Sequence, residues 1–300
     1  MIWANQIVTG VLLGGYYALL ASGLSLMFGV MRIINLAHGD LAILGAFLTF
    51  VVANDLGWSP FLALILVLPA MAMIGWVLQR TMLERSLRSG VLVPLLTTFG
   101  LAIVIENLLF QQYGADTRSL GPQIGNLAFD SWQITGQIYV GHLSALIFVV
   151  AVGVLGLLHV ILRRTSIGRA LRATAEDADT AELVGVNSRA IYGIAAGISV
   201  AIAGLAGVFL AMRSSYDPYS GPLQLIFAFE AVVIGGIGSL WGTLAGGIIL
   251  GIAQNIGAQL NPEWQILAGH VVFLAILAGR LVLTAIEDRG GLAVVMGREA

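Results

Sequence analysis

Three groups of polar residues interrupt an otherwise apolar sequence of 300 residues, and each could do chemistry. Asn35, His38 and Asp40 stand within six positions, Glu106 is followed by Asn107, and Glu230 lies between Phe229 and Ala231. An acid inside an apolar segment is costly and usually faces a bundle interior or an aqueous cavity. Glu106 and Glu230 therefore read either as glue between helices or as part of a pathway for a small solute. Glu106 lies near the outer end of its segment, where it can also snorkel to the interface. Glu230 lies nearer the middle of its own and must be protonated or paired, with His270 and Arg280 as candidate partners. Asn35 reads as a helix cap at a membrane boundary, with Asp40 in the first turn, stabilised by the macrodipole. His38 next to Gly39 reads as packing or as a gate.

Other chemistries are excluded. A lone His-x-Asp without a second ligand cluster makes no metal site. The chain has no cysteine, which removes thiol nucleophiles, disulfides and Cys-metal sites. All fourteen basic residues are arginines. Without lysine there is no Walker A loop to hold a nucleotide's phosphates and no Schiff base. Ser22, Ser25 and Ser239 show no paired spacing with the four histidines, so an intramembrane hydrolase finds no nucleophile and base. The expectation is a chain that performs no covalent chemistry, carries no cofactor or metal, and offers nothing to nucleic acid.

The elements that must position these residues are membrane spans. Charged residues make up 10% and hydrophobic ones 58%, against about 25% charged in soluble domains; mean hydropathy is +0.95. A span needs about 20 mostly apolar residues. Candidates fall at 4–30, 36–54, 59–79, 91–112, 139–162, 191–212, 223–238, 240–260 and 265–286. That predicts an all-α polytopic bundle of 8–9 spans forming a single transmembrane domain over 1–300. The stretch Gly235–Gly242 reads either as a tight loop between spans or as an unwound point in a broken helix. No basic residue precedes Arg32, so the first span is expected to be retained rather than cleaved as a signal. With the N-terminus outside, twelve arginines, Arg88, Arg280, Arg289 and Arg298 among them, fall on the cytoplasmic side and only Arg118 and Arg213 outside. The positive-inside rule fixes that orientation and puts the C-terminus in the cytoplasm. Gly238, Gly242 and Gly246 recur every four residues, with Gly247 and Gly251 beside them, as a small-residue ridge for close helix packing.

One polar island, 163–190, breaks the pattern with five arginines and four acids. It reads as two short helices: Ser166 caps the first, Ile167, Leu171 and Ala175 form its apolar stripe, Asp179 with Glu182 resembles a capping box, and Gly185 suits a left-handed helix end. Such a loop docks a cytoplasmic protein or lies on anionic lipid; Glu176, Asp177, Asp179 and Glu182 count against lipid. The outer loop 113–138 and the turn-rich 213–222 are long enough to meet a soluble partner.

Residues Arg172–Val186 (RATAEDADTAELVGV) resemble the cytoplasmic loop of the LivH-like permeases of branched-chain amino acid ABC importers. Asn35–Asp40 (NLAHGD), Thr97–Asn107 (TTFGLAIVIEN) and Gly235–Gly247 (GGIGSLWGTLAGG) are similar to three further family segments, in the same order. The tail Glu287–Ala293 (EDRGGLA) departs from the family by lacking a proline. The resemblance implies a permease subunit in a bacterial inner membrane, working by alternating access. Its partners would be a second related permease, cytoplasmic ATPase subunits that bind the ATP, and an extracytoplasmic substrate-binding protein, all embedded in or meeting membrane lipid. It also implies that the island couples to the ATPase, with Arg169, Arg172, Glu176, Asp177, Glu182 and Gly185 at or near that contact. The closely similar urea permeases are an alternative for the substrate. A self-contained ion-coupled transporter, which would also carry buried acids and broken helices, is the rival class.

Overall fold

A computed structural model describes residues 2–87, 89–90, 92–136 and 138–296, with side chains to Val282. Arg88 and Arg298 lie outside the described residues, and the tail 287–293 carries no described side chains. All nine apolar stretches form helices: α1 (Ile2–Met31), α2 (His38–Asp55), α3 (Pro60–Leu78), α5 (Leu92–Tyr113), α6 (His142–Arg164), α9 (Ser188–Arg213), α10 (Gly221–Gly235), α11 (Leu240–Leu260) and α12 (Trp264–Met296). A π-helical turn, Gln79–Leu83, carries α3 into the short α4 (Glu84–Leu87). The polar island supplies α7 (Ser166–Glu176) and α8 (Ala178–Leu183). Seven of these helices are long and apolar enough to cross a membrane; α10 is apolar but shorter, and α2 falls outside the seven.

Side-chain size sorts the helices by layer. The most apolar stretches of α1 and α9 are each 83% buried, whereas that of α12 is 6% buried. The central pair is rich in glycine, alanine and serine, which let backbones meet; α3, α5, α6 and α12 turn Leu, Ile, Val and Phe outward, as lipid-facing helices do. Helix α11 runs antiparallel along α1. A Cβ on Gly247 would lie 2.6 Å from the Gly14 carbonyl oxygen and one on Gly14 would lie 2.7 Å from that of Gly247. The glycines of α11 serve two neighbours. Gly247 and Gly251 face α1, while Gly242 and Gly246 abut the Gly235 and Ala231 carbonyls of α10.

Two connections depart from ideal spans. The chain leaves α1 at Arg32, the one non-glycine residue with positive φ (+55°) among the described residues, and folds back along α1 before α2 begins. Between α10 and α11, Gly236 and Gly238 have φ of +95° and +81°, and the Ser239 hydroxyl caps α11 by accepting from the Gly242 N–H at 3.1 Å. The glycine-rich stretch is therefore a tight turn between antiparallel helices. On the opposite side a small hairpin, β1 (Ser131–Thr135) with β2 (Ile138–Gly141), adds sheet to the bundle. Its first strand is exposed on both faces and its second is mostly half-buried. Paired hydrogen bonds between Arg118 and Tyr216 (2.8 and 2.9 Å) join the loops 113–138 and 213–222 into one cap.

Candidate functional site

His38 lies fully buried, and its Nε2–H donates to the Leu20 carbonyl of α1 at 2.9 Å. Leu20 is eleven residues short of the end of α1, about 16 Å along a helix rising 1.5 Å per residue. Helix α2 thus begins well inside the bundle, not at the membrane boundary that the sequence suggests. Irregular backbone is tolerated at that depth because protein covers it: Ile33, Asn35 and Ala37 are buried, and the Leu36 N–H finds the Thr98 hydroxyl of α5 at 3.1 Å. Asn35 is no helix N-cap. Its side chain accepts from Ala37 N–H and its carbonyl from His38 N–H, closing a turn one step before the helix. One turn along α1, the Gly23 carbonyl takes the Ser199 hydroxyl of α9 at 2.7 Å. A Cβ on Gly23 would meet both Ser199 and His38, so three helices share one polar joint.

Asp40 follows in α2 and is 2% exposed. Its carboxyl abuts Gly221 at the start of α10, and the half-buried Glu106 carboxyl of α5 is its nearest acidic neighbour. Asn107, next to Glu106, stays exposed, bonded only to its own helix through the Ile103 carbonyl.

Glu230 is 3% exposed and meets His270 Nδ1 of α12 at 2.5 Å. Arg280, the other candidate, donates instead to the Val233 and Ile234 carbonyls at 2.8 and 2.7 Å, which satisfies the C-terminal end of α10. Beside the pair, the Tyr17 hydroxyl donates to Gln254 at 2.5 Å and Tyr16 to Gln224 at 2.7 Å. Deleting the imidazole strands an acid among apolar neighbours. His270→Ala is expected to cost about 2 kcal/mol and lower the melting temperature in detergent, while the apolar pair Glu230→Leu with His270→Leu recovers most of the loss. Thermal unfolding of the three purified proteins checks this.

In the island, α7 is capped by Thr165, whose hydroxyl accepts from the Gly168 N–H at 3.0 Å, one residue before the expected cap. Its buried residues are Gly168, Leu171 and Thr174; Ile167 is exposed. The apolar stripe is thus rotated, because Gly168 must pass against the Ile161 and Leu162 backbone of α6. Asp177, not Asp179, caps α8: its carboxylate accepts from Asp179 N–H, Thr180 N–H and the Thr180 hydroxyl at 3.0, 3.1 and 2.7 Å. Those donors hold its carboxyl below the usual range, Thr180 foremost. Gly185 ends α8 with φ +87°. Arg169, Arg172, Glu176, Asp177 and Glu182 are all exposed. Arg172 also lines a cavity of about 200 Å³ between α7, the end of α1 and Gly238.

The description that matches residues 6–277 is a branched-chain amino acid transport system permease component. The chain belongs to this permease family. The permease is 32% identical over 272 residues to the high-affinity branched-chain amino acid transport system permease protein BraD of Pseudomonas aeruginosa, covering 86% of this chain and 87% of that one. It is 30% identical over 296 residues to LivH of Escherichia coli, covering 91% and 92%. It is also similar to the fructose import permease protein FrcC of Rhizobium meliloti, at 28% over 260 residues, 81% and 69%. All the polar residues singled out above in the joint, the acid pair and the island fall inside the matched span.

Reading the permease from its residues alone missed Tyr16, Tyr17, Gln224, Gln254, Thr98 and Ser199. Each is a common residue in an apolar helix, and only its partner on another helix gives it a role. Two tyrosines at the centre of an apolar run were the available signal, since a buried phenol needs an acceptor.

Proposed function

We propose that the permease is the membrane subunit of an ATP-driven importer of branched-chain amino acids in a bacterial inner membrane. Its whole chain would form one transmembrane domain, with the N-terminus outside, the C-terminus in the cytoplasm, and no ATPase site of its own. The family match across residues 6–277 carries the reading. ATP is bound by separate cytoplasmic subunits, a sister permease completes the pathway, and an extracytoplasmic binding protein delivers the substrate to the outer cap.

The island is the coupling element. Leu183 and Val184 are 87% and 77% exposed at the end of α8, beside a face of arginines and acids, and apolar side chains so placed mark a protein contact. From α7 the push reaches α1 through the cavity that Arg172 lines, and Arg32, which reaches the Ala175 carbonyl of α7 at 3.5 Å, joins that helix to the strained bend before α2. The His38 joint and the Asp40–Glu106 pair lie beyond that bend, where a rocking motion changes which helices touch. Purification in mild detergent is expected to bring down an ATPase and a sister permease in near-equal amounts. Vesicles holding that complex and its binding protein should take up labelled leucine only with ATP inside the ATPase compartment. Uptake by the permease alone, driven by an ion gradient, would overturn the reading.

A further inference from the structure

We propose that a cavity at the outer end of the bundle is a carboxylate-binding niche that holds the transported solute through Arg213. The inference rests on the importer reading above and adds to it the residue that recognises the solute's charged end. The cavity, about 150 Å³, lies between α1, α6, α11 and α12, with Arg213 at the end of α9 on its wall. Its lining divides in two. Leu12, Leu13 and Ile147 make an apolar floor, while Arg213, Thr9, Ser144, Asn255 and Gln265 bring polar groups to the same space. No acid lines it.

Arg213 is the uncommitted cation of this side. Arg118, the other outer arginine, donates to the Tyr113 carbonyl at 3.3 Å and lies over the rings of Phe50 and Tyr113 at 4.6 and 5.2 Å. Among the described residues Arg213 has no ion pair or side-chain hydrogen bond; it only overlies the Tyr16 ring at 5.5 Å. The side chains of Ser144 and Gln265 are likewise without hydrogen-bond partners among the described residues. An arginine presents a planar fork of donors that fits a carboxylate with two parallel hydrogen bonds. A small zwitterion with a branched aliphatic side chain matches the arrangement: its carboxylate meets Arg213, and its side chain meets the leucine and isoleucine floor. A phosphate of an anionic lipid offers the same oxyanion chemistry, and the test separates the two.

The complete complex is placed in phosphatidylcholine nanodiscs without the binding protein, and equilibrium binding of radiolabelled leucine is measured. The expected result is saturable binding displaced by 4-methyl-2-oxopentanoate, which keeps the carboxylate, and not by leucinamide, which lacks it. Arg213→Gln weakens binding at least about tenfold, and so does Asn255→Asp, an isosteric change that sets a competing carboxylate in the niche. ATP-driven uptake by the wild-type complex with its binding protein is measured in parallel. If that uptake is absent, the importer reading fails. If uptake is present but the wild type binds no leucine, or both variants bind it as the wild type does, the niche fails alone. Variants that change only the effect of added phosphatidylglycerol would assign Arg213 to lipid and also overturn the niche. Should Arg213→Gln not assemble with the ATPase, Asn255→Asp decides.

Discussion

Gly247→Leu is expected to leave no folded permease, although the change adds an apolar side chain to an apolar helix. A Cβ at this position would stand 2.6 Å from the Gly14 carbonyl oxygen and 2.9 Å from the Ala18 nitrogen. Both are backbone atoms of α1, so no rotamer change relieves the clash and the two helices must separate. Separation propagates, because α1 also carries the Leu20 and Gly23 carbonyls that hold His38 and Ser199. Overpacking of a core typically costs 1–3 kcal/mol, and a leucine driven into a backbone contact belongs at about 3 kcal/mol or above. Lipid gives the helices no hydrophobic reason to stay together, so close packing is what holds them. The control is a glycine of the same protein with open space around it. At Gly153 of α6 an added Cβ meets nothing within 4 Å, and Gly153→Ala is expected to gain roughly 0.5–1 kcal/mol from helix propensity. Fluorescence-detected size exclusion and thermal unfolding in detergent measure both. A Gly247→Leu protein that elutes as a monodisperse peak and melts near the wild type would refute the α1–α11 contact.

What could be read without coordinates follows from which physics is local. The nine apolar stretches became helices because a span is set by some twenty consecutive residues, and nothing distant is needed to find it. Gly185 was legible for the same reason: a left-handed residue after a short helix is a local demand. Other readings failed by one or two residues. Both Asp177 and Asp179 are plausible caps, and what selects Asp177 is the extended backbone at that position (φ −152°, ψ 109°). Depth was the larger failure. His38 follows an apolar segment and a basic residue, the pattern of a membrane boundary, yet the chain doubles back from Arg32 and delivers His38 to the middle of α1. The partner of Glu230 lay on a short slate of two, and His270 stands forty positions further along the chain. The two glycine sets of α11, 242/246 and 247/251, are offset by about 100° around a helix, and which neighbour each set meets is decided by distant chain.

The second large effect is expected at the exposed end of α8. Leu183→Asp with Val184→Asp should cut ATP-driven uptake at least about a hundredfold and leave the permease folded. At 87% and 77% exposure neither side chain has packing to lose within the subunit, so the melting temperature should not move. In the proposed coupling role, both have packing to lose against an ATPase. Burying a leucine and a valine stabilises by about 1.5–3 kcal/mol each, and together that is two to four orders of magnitude in affinity. Asp177→Ala tests the same element differently. It removes the acceptor for three donors that start α8, so it disorders the helix that presents the apolar pair and should reduce uptake less severely. The carboxyl of Asp177 is held below its usual range. A carboxyl depressed by folding stabilises the folded loop above its unfolded pKa and loses that contribution only as pH falls through the lowered folded value. Between pH 6 and 8 the cap is therefore constant, and coupling should be flat across that window for wild type and for Asp177→Asn alike. Full uptake by the Leu183→Asp, Val184→Asp protein, with the ATPase still recovered at equal amounts, would move the coupling contact away from α8 and onto the arginine face of α7.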